Sequence, residues 1–86
     1  MGVPFHVVVK KLSDDVYGET DGIEATIFVC NSLTKEQQWR VFLHEWTHAV
    51  LYVTGVANVI EDSVEEIIAQ SMEHALVQLI NQMEKI

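Results

Sequence analysis

Thr34-Lys35-Glu36-Gln37-Gln38-Trp39-Arg40-Val41-Phe42-Leu43-His44-Glu45-Trp46-Thr47-His48-Ala49-Val50-Leu51-Tyr52-Val53 carries most of what this chain says about its fold. Thr34 and Gln37 fit a capping box, with the Thr34 hydroxyl on the third helical amide and the Gln37 side chain reaching back to the cap amide. Apolar residues then recur at Trp39, Phe42, Leu43, Trp46, Val50 and Val53, spaced as one side of an α-helix requires. Gly55 supplies a stop. The stretch predicts a helix over about 35–54. Inside it, His44-Glu45-Trp46-Thr47-His48 reads H-E-x-x-H. Histidines four apart on a helix lie one above the other, so both imidazoles can reach one ion at the ~2.0–2.1 Å of a Zn–N bond. Glu45 is turned about 100° from His44, where it can serve as a general base for water activated by the metal. In a chain this short the pattern arises by chance roughly a few times in a thousand, and here it falls within a well-capped amphipathic helix.

Working outward, the front of the chain is β-rich over 3–31. Residues 5–12 are rich in valine and read as a strand. Ser13-Asp14-Asp15 is a turn, 16–20 a second short strand, and Asp21-Gly22 a two-residue hairpin turn. Residues 23–30 form a third strand centred on Thr26, Ile27, Phe28 and Val29. An antiparallel three-stranded meander is the expected assembly. Behind the motif helix, 56–60 make a short connection and a second helix runs over about 61–84, with Ile68, Met72, Ala75, Leu76, Leu79 and Met83 as its apolar stripe. The fold class is therefore α+β: one domain over 1–86, with a meander followed by two long helices, the first bearing the motif.

The 86 residues suffice for one modest core, and a metal or partner would help to stabilise it. Thirteen acidic against five basic side chains give a net charge of −8, which argues against nucleic acid or anionic membranes as partners. Cys30 is the only cysteine, so no internal disulfide forms; it reads as a small buried residue or, as a lesser alternative, a thiol that blocks the metal. No apolar run reaches a membrane span, no secretory signal is visible, and His6 stands where a myristoylation motif after Met1-Gly2 needs Ser or Thr. A cytoplasmic location is expected.

Two histidines leave a catalytic zinc one protein ligand short. Candidates downstream are Glu61, Asp62, Glu65, Glu66, Glu73 and His74. A helical hairpin returns the start of the second helix to the motif, which favours 61–66 over Glu73 and His74. Helical phase prefers Glu65, which points with Met72 and Leu76; Glu66 sits at the edge of the stripe, and Ser63 with Glu66 also fits a capping box.

The run from Arg40 to Val50 resembles the motif helix of small gluzincin-type zinc peptidases, most closely the ImmA/IrrE-like family and its short phage- or prophage-encoded relatives. Tyr17-Gly18, Asp21, Ile27-Phe28-Val29, Glu66-Ile67-Ile68 and the stretch from His74 to Ile80 fit the same pattern, so the resemblance spans about 17–80, with H-E-x-x-H as its one sharply specific part. It implies one zinc per chain held by His44, His48 and Glu66, with Glu65 as the alternate third ligand, and Glu45 as base. It implies hydrolysis of a peptide bond in a peptide or protein substrate, in a host cytoplasm if the protein is phage-encoded. An exposed edge near Thr26, Ile27, Phe28 and Val29 would take the substrate as an added strand.

Larger relatives carry an N-terminal helix and a C-terminal extension not found in these residues, so a homo-oligomer or a partner protein could complete the cleft. Tyr17, Tyr52, His6 and His74 are all available to stabilise an oxyanion, and the sequence selects none. Trp39 and Trp46 read as core or hairpin packing, His6 as structural, His74 as a surface or capping residue. A different class of function is a zinc-stabilised binding module on a peptidase scaffold, weak or inactive in catalysis; a third is a helical interaction module without metal. Two imidazoles and a carboxylate favour zinc over manganese.

Overall fold

In a computed structural model, which describes residues 5–85, the chain forms strands β1 (His6–Lys10), β2 (Gly18–Asp21) and β3 (Thr26–Cys30), then helix α1 (Lys35–Val53), a 3-10 turn over Val56–Asn58, and helix α2 (Asp62–Met83). The expected start of the β-rich region at residue 3, and Met1-Gly2, lie outside the described residues. The α+β class holds. Both long helices fall within about two residues of their expected ends.

The meander does not form. The strand order is β1-β3-β2: β1 runs parallel to β3, with His6 opposite Thr26 and Lys10 opposite Cys30, and β2 runs antiparallel to it, with Gly18 opposite Val29 and Asp21 opposite Thr26. A meander would centre Gly-Glu-Thr-Asp, which is short and carries two acids. The observed order centres Thr-Ile-Phe-Val-Cys instead, and burial follows: Ile27, Val29 and Cys30 are buried whereas every residue of β1 is exposed. The seven residues 11–17 cross the end of β3, a span of two strand spacings or about 10 Å. As a consequence β3 is paired on both sides and offers no free edge at Thr26–Cys30, which overturns the expected substrate strand. The turn after Asp21 is also longer than two residues. Asp21 Oδ1 accepts from the amides of Ile23 and Glu24, and Ala25 takes the left-handed backbone (φ 50°) before pairing resumes at Thr26.

The capping box forms as expected: the Gln37 amide donates to Thr34 Oγ1 (3.2 Å) and the Thr34 amide to Gln37 Oε1 (3.0 Å). Gly55, at φ 82°, ends the helix. One flank of α1 packs on the sheet, where Ile27, Val29 and Ala49 form a dry cluster with Phe5, Val41 and Phe42 around it. The other flank carries buried Leu43 and Thr47 and faces α2.

Two expectations about packing shift here. Trp39 and Trp46 are 56% and 42% exposed, not core, because neither falls on a buried flank; Trp39 instead meets Phe42 edge to face at 5.8 Å. On α2 the buried positions are Ala69 and Val77, while Met72, Leu79 and Met83 of the expected stripe are exposed. The seam turned inward is Glu65, Ala69, Glu73 and Val77, four apart, with Ile68 and Leu76 beside it. A stripe chosen from apolar residues alone could not include two glutamates. No described helix is long and apolar enough to cross a membrane.

Candidate metal centre

α1 holds His44 and His48 one turn apart with ring centroids 5.1 Å from each other. α2 returns beside them, and the carboxylate of Glu66 reaches both: Oε1 is 2.8 Å from His44 Nε2 and Oε2 is 3.2 Å from His48 Nε2. One ligand atom from each of the three residues lies within 4.8 Å of the others. A tetrahedral zinc with bonds near 2.1 Å separates its ligands by about 3.4 Å, so the three atoms would draw together around one. Glu66 is not in a capping box with Ser63: α2 starts at Asp62, its cap has no side-chain bond, and the Glu66 carboxylate is turned to the histidines.

The other nitrogen of each ring is also engaged. His44 Nδ1 lies 3.1 Å from Glu73 Oε1, and His48 Nδ1 lies 2.5 Å from Glu65 Oε2. A carboxylate at Nδ1 assigns the proton to that nitrogen. With the proton on Nδ1, both Nε2 lone pairs face the Glu66 carboxylate, a donor set that could hold one cation. An acid behind each imidazole is the arrangement that orients metal-bound histidines. The alternate ligand Glu65 therefore stands behind His48 rather than beside Glu66. Glu73, judged too far along the helix, stands behind His44. The signal for both was present as Glu-x-x-x-Ala-x-x-x-Glu over 65–73, which sets two acids on one face around a small residue.

Glu45 lies on the sheet side of the motif. Thr20 Oγ1 donates to its Oε1 at 2.7 Å and is 3.0 Å from its backbone carbonyl. Gly18 makes this approach possible. A Cβ there would sit 2.3 Å from Val41 Cγ1 and 3.0 Å from Glu45 Cγ, so either the Val41 side chain would have to turn or β2 move off α1. β2, the turn after it, α1, the 3-10 turn and the start of α2 border an open cleft of about 440 Å³ lined by Thr20, Glu45, His48, Tyr52, Ala57 and Glu65 among others. His48 and Glu65 form its border with the three-ligand group.

The remaining candidates lie elsewhere. His74 and His6 are exposed, on α2 and on β1, and neither they nor Tyr17 line the cleft, whereas Tyr52 does. Glu61 and Asp62 are exposed at the start of α2. Cys30 is buried with Sγ 3.1 Å from Ser32 Oγ, a contact that draws the thiol below its ordinary pKa, and it does not join the three-ligand group. Neither the family models nor the curated proteins compared with this chain give a match.

Proposed function

We propose that this chain is a zinc-dependent metallopeptidase that cleaves a peptide bond within a peptide or protein substrate. The observation that carries the reading is the convergence of His44 Nε2, His48 Nε2 and the Glu66 carboxylate beside a cleft that also holds Glu45. Those three residues would hold one zinc ion, and Glu65 and Glu73 would orient the imidazoles. Zinc bound there supplies positive charge that polarises a carbonyl oxygen and lowers the pKa of water. Glu45 takes the proton of the attacking water and returns it to the leaving nitrogen. Thr20 holds that carboxylate on the β2 side of the cleft. Among the described residues β2 pairs only with β3, so its outer edge is free, and it borders the cleft through Gly18, Glu19 and Thr20. An extended peptide adds to such an edge by main-chain hydrogen bonds. The substrate strand thus moves from Thr26–Cys30 to Gly18–Asp21.

The test is zinc content and cleavage of a quenched peptide library, wild type beside Glu45→Gln and His44→Ala. Glu45→Gln should keep about one zinc per chain and lose cleavage by about 10²–10⁴-fold, the usual contribution of a general base; His44→Ala should lose the zinc. Undiminished cleavage by Glu45→Gln removes the catalytic role. The second reading, a zinc-stabilised binding module, is favoured by one observation: the His–Glu contacts that would hold the ion also clasp α2 to α1. It predicts zinc-dependent folding with no library member cut.

A further inference from the structure

His44, His48 and Tyr52 follow one another four apart on α1, so the flank with the two imidazoles continues into a phenol. Tyr52 stands about 6 Å along the helix axis beyond His48. Its ring rests on the turn between β2 and β3: a Cβ at Gly22 would come within 2.7–2.9 Å of ring atoms Cζ, Cε1 and Cε2. The residue is nevertheless 50% exposed. The reason is that it borders two hollows, the cleft with Glu45, His48 and Ala57, and a second of about 410 Å³ with Phe5, Ala25, Val53 and Asn58. Tyr52 is the partition between them.

A large ring already held by backbone offers contact area at little further cost in conformational entropy. The cleft's polar lining is Glu19, Thr20, Glu45, His48 and Glu65, while Tyr52, Gly22 and Ala57 contribute carbon surface, and no lysine or arginine lines it. A peptide along β2 turns alternate side chains towards α1, and the one that does so at the Gly22 end meets the ring. We propose that Tyr52 is the specificity-determining wall of a side-chain subsite, and that the substrate carries an apolar or aromatic residue flanking the bond on which Glu45 acts. This rests on the peptidase reading. Gly22 fixes the ring rather than the hydroxyl, so the ring carries the role.

The experiment measures binding of three N-acyl amino-acid hydroxamates, of phenylalanine, leucine and glycine, to the zinc-loaded protein by calorimetry. Wild type should bind the first two roughly 10–100-fold more tightly than the third, the discrimination an apolar pocket can supply. Tyr52→Phe should keep that preference. Tyr52→Ala should reduce it to about twofold or less while leaving the glycine hydroxamate unchanged, which also shows that the variant is folded. Gly22→Ala, whose Cβ displaces the ring, should change the affinity of the phenylalanine compound and spare the glycine one. A preference that survives in Tyr52→Ala, is absent in wild type, or is lost in Tyr52→Phe overturns the wall. Failure of all three compounds to bind zinc-loaded wild type instead removes the open metal site, and the subsite with it.

Discussion

The two flanks of α1 solve the same packing problem by opposite means. Towards the sheet, Ile27, Val29 and Ala49 are at most 2% exposed and the contact is dry. Towards α2, the seam places His44 and His48 against three glutamates, 65, 66 and 73. Apolar burial stabilises the first flank whatever is bound. The second buries Leu43, Ala69 and Val77 as well, but its histidine–glutamate part depends on what charge, a proton or a cation, joins those groups. The comparison teaches that α1 is a rigid mount on one side and a conditional contact on the other, and that the conditional side is the candidate site.

Metal removal tests this division most severely. With free zinc about a thousandfold above its dissociation constant, binding stabilises the fold by about 4 kcal/mol, a large share of the ~5–15 kcal/mol typical of a domain. Stripping the protein with a chelator should lower its melting temperature by many degrees, and zinc should restore it. Amide exchange should accelerate in α2 more than in β3. Equal loss of protection in both would show that the two flanks unfold as one unit and that the division is only geometric.

Ile27→Ala approaches from the dry side. It empties a fully buried site on the central strand, at a cost of about 2–5 kcal/mol. Measured by urea unfolding, that loss should be the same with zinc and with chelator. A loss that appears only in one condition would couple the flanks.

Glu73→Gln and Glu65→Gln sharpen the polar side. Each keeps its shape but weakens the acid behind one histidine, and each should lower zinc affinity by about 10–100-fold, read by competition with a chromophoric chelator. The closer contact at His48 ranks Glu65 as the larger effect. Unchanged affinity in both would leave the two glutamates as ordinary helix-pairing residues.

How much of this was legible follows the same division. The motif helix, its cap at Thr34 and its stop at Gly55 are local, so the sequence shows them plainly. Which of Glu65 and Glu66 reaches both Nε2 atoms was not local: the structure turns Glu66 to them and Glu65 to His48 Nδ1, whereas helical phase took the apolar stripe at Met72 and Leu76 as the inward face. The true seam is half charged. Strand order was hidden for a related reason: pairing between β1 and β3 joins residues twenty apart in sequence, such as His6 and Thr26, and nothing within either strand states its partner. What could have been weighed is that Gly18–Asp21 is too polar to occupy the centre of a sheet.

The smallest effect belongs to Thr20, which ties the edge strand to the candidate base. Its hydroxyl has one proton and two acceptors in reach, Glu45 Oε1 at 2.7 Å and the Glu45 carbonyl at 3.0 Å. The carboxylate is the nearer and the charged one, and a charge-assisted bond is the stronger. That proton therefore fixes the rotamer of the candidate base more than it secures β2 to α1. Thr20→Val keeps the shape and removes the donor. Zinc content and melting temperature should stay as in wild type while kcat falls about tenfold, or about 1.4 kcal/mol of transition-state stabilisation, with KM little changed. A fall in melting temperature of several degrees with kcat intact would reverse the assignment: the hydroxyl would then serve the helix–sheet contact, and the dry flank of α1 would extend one strand further than its buried side chains show.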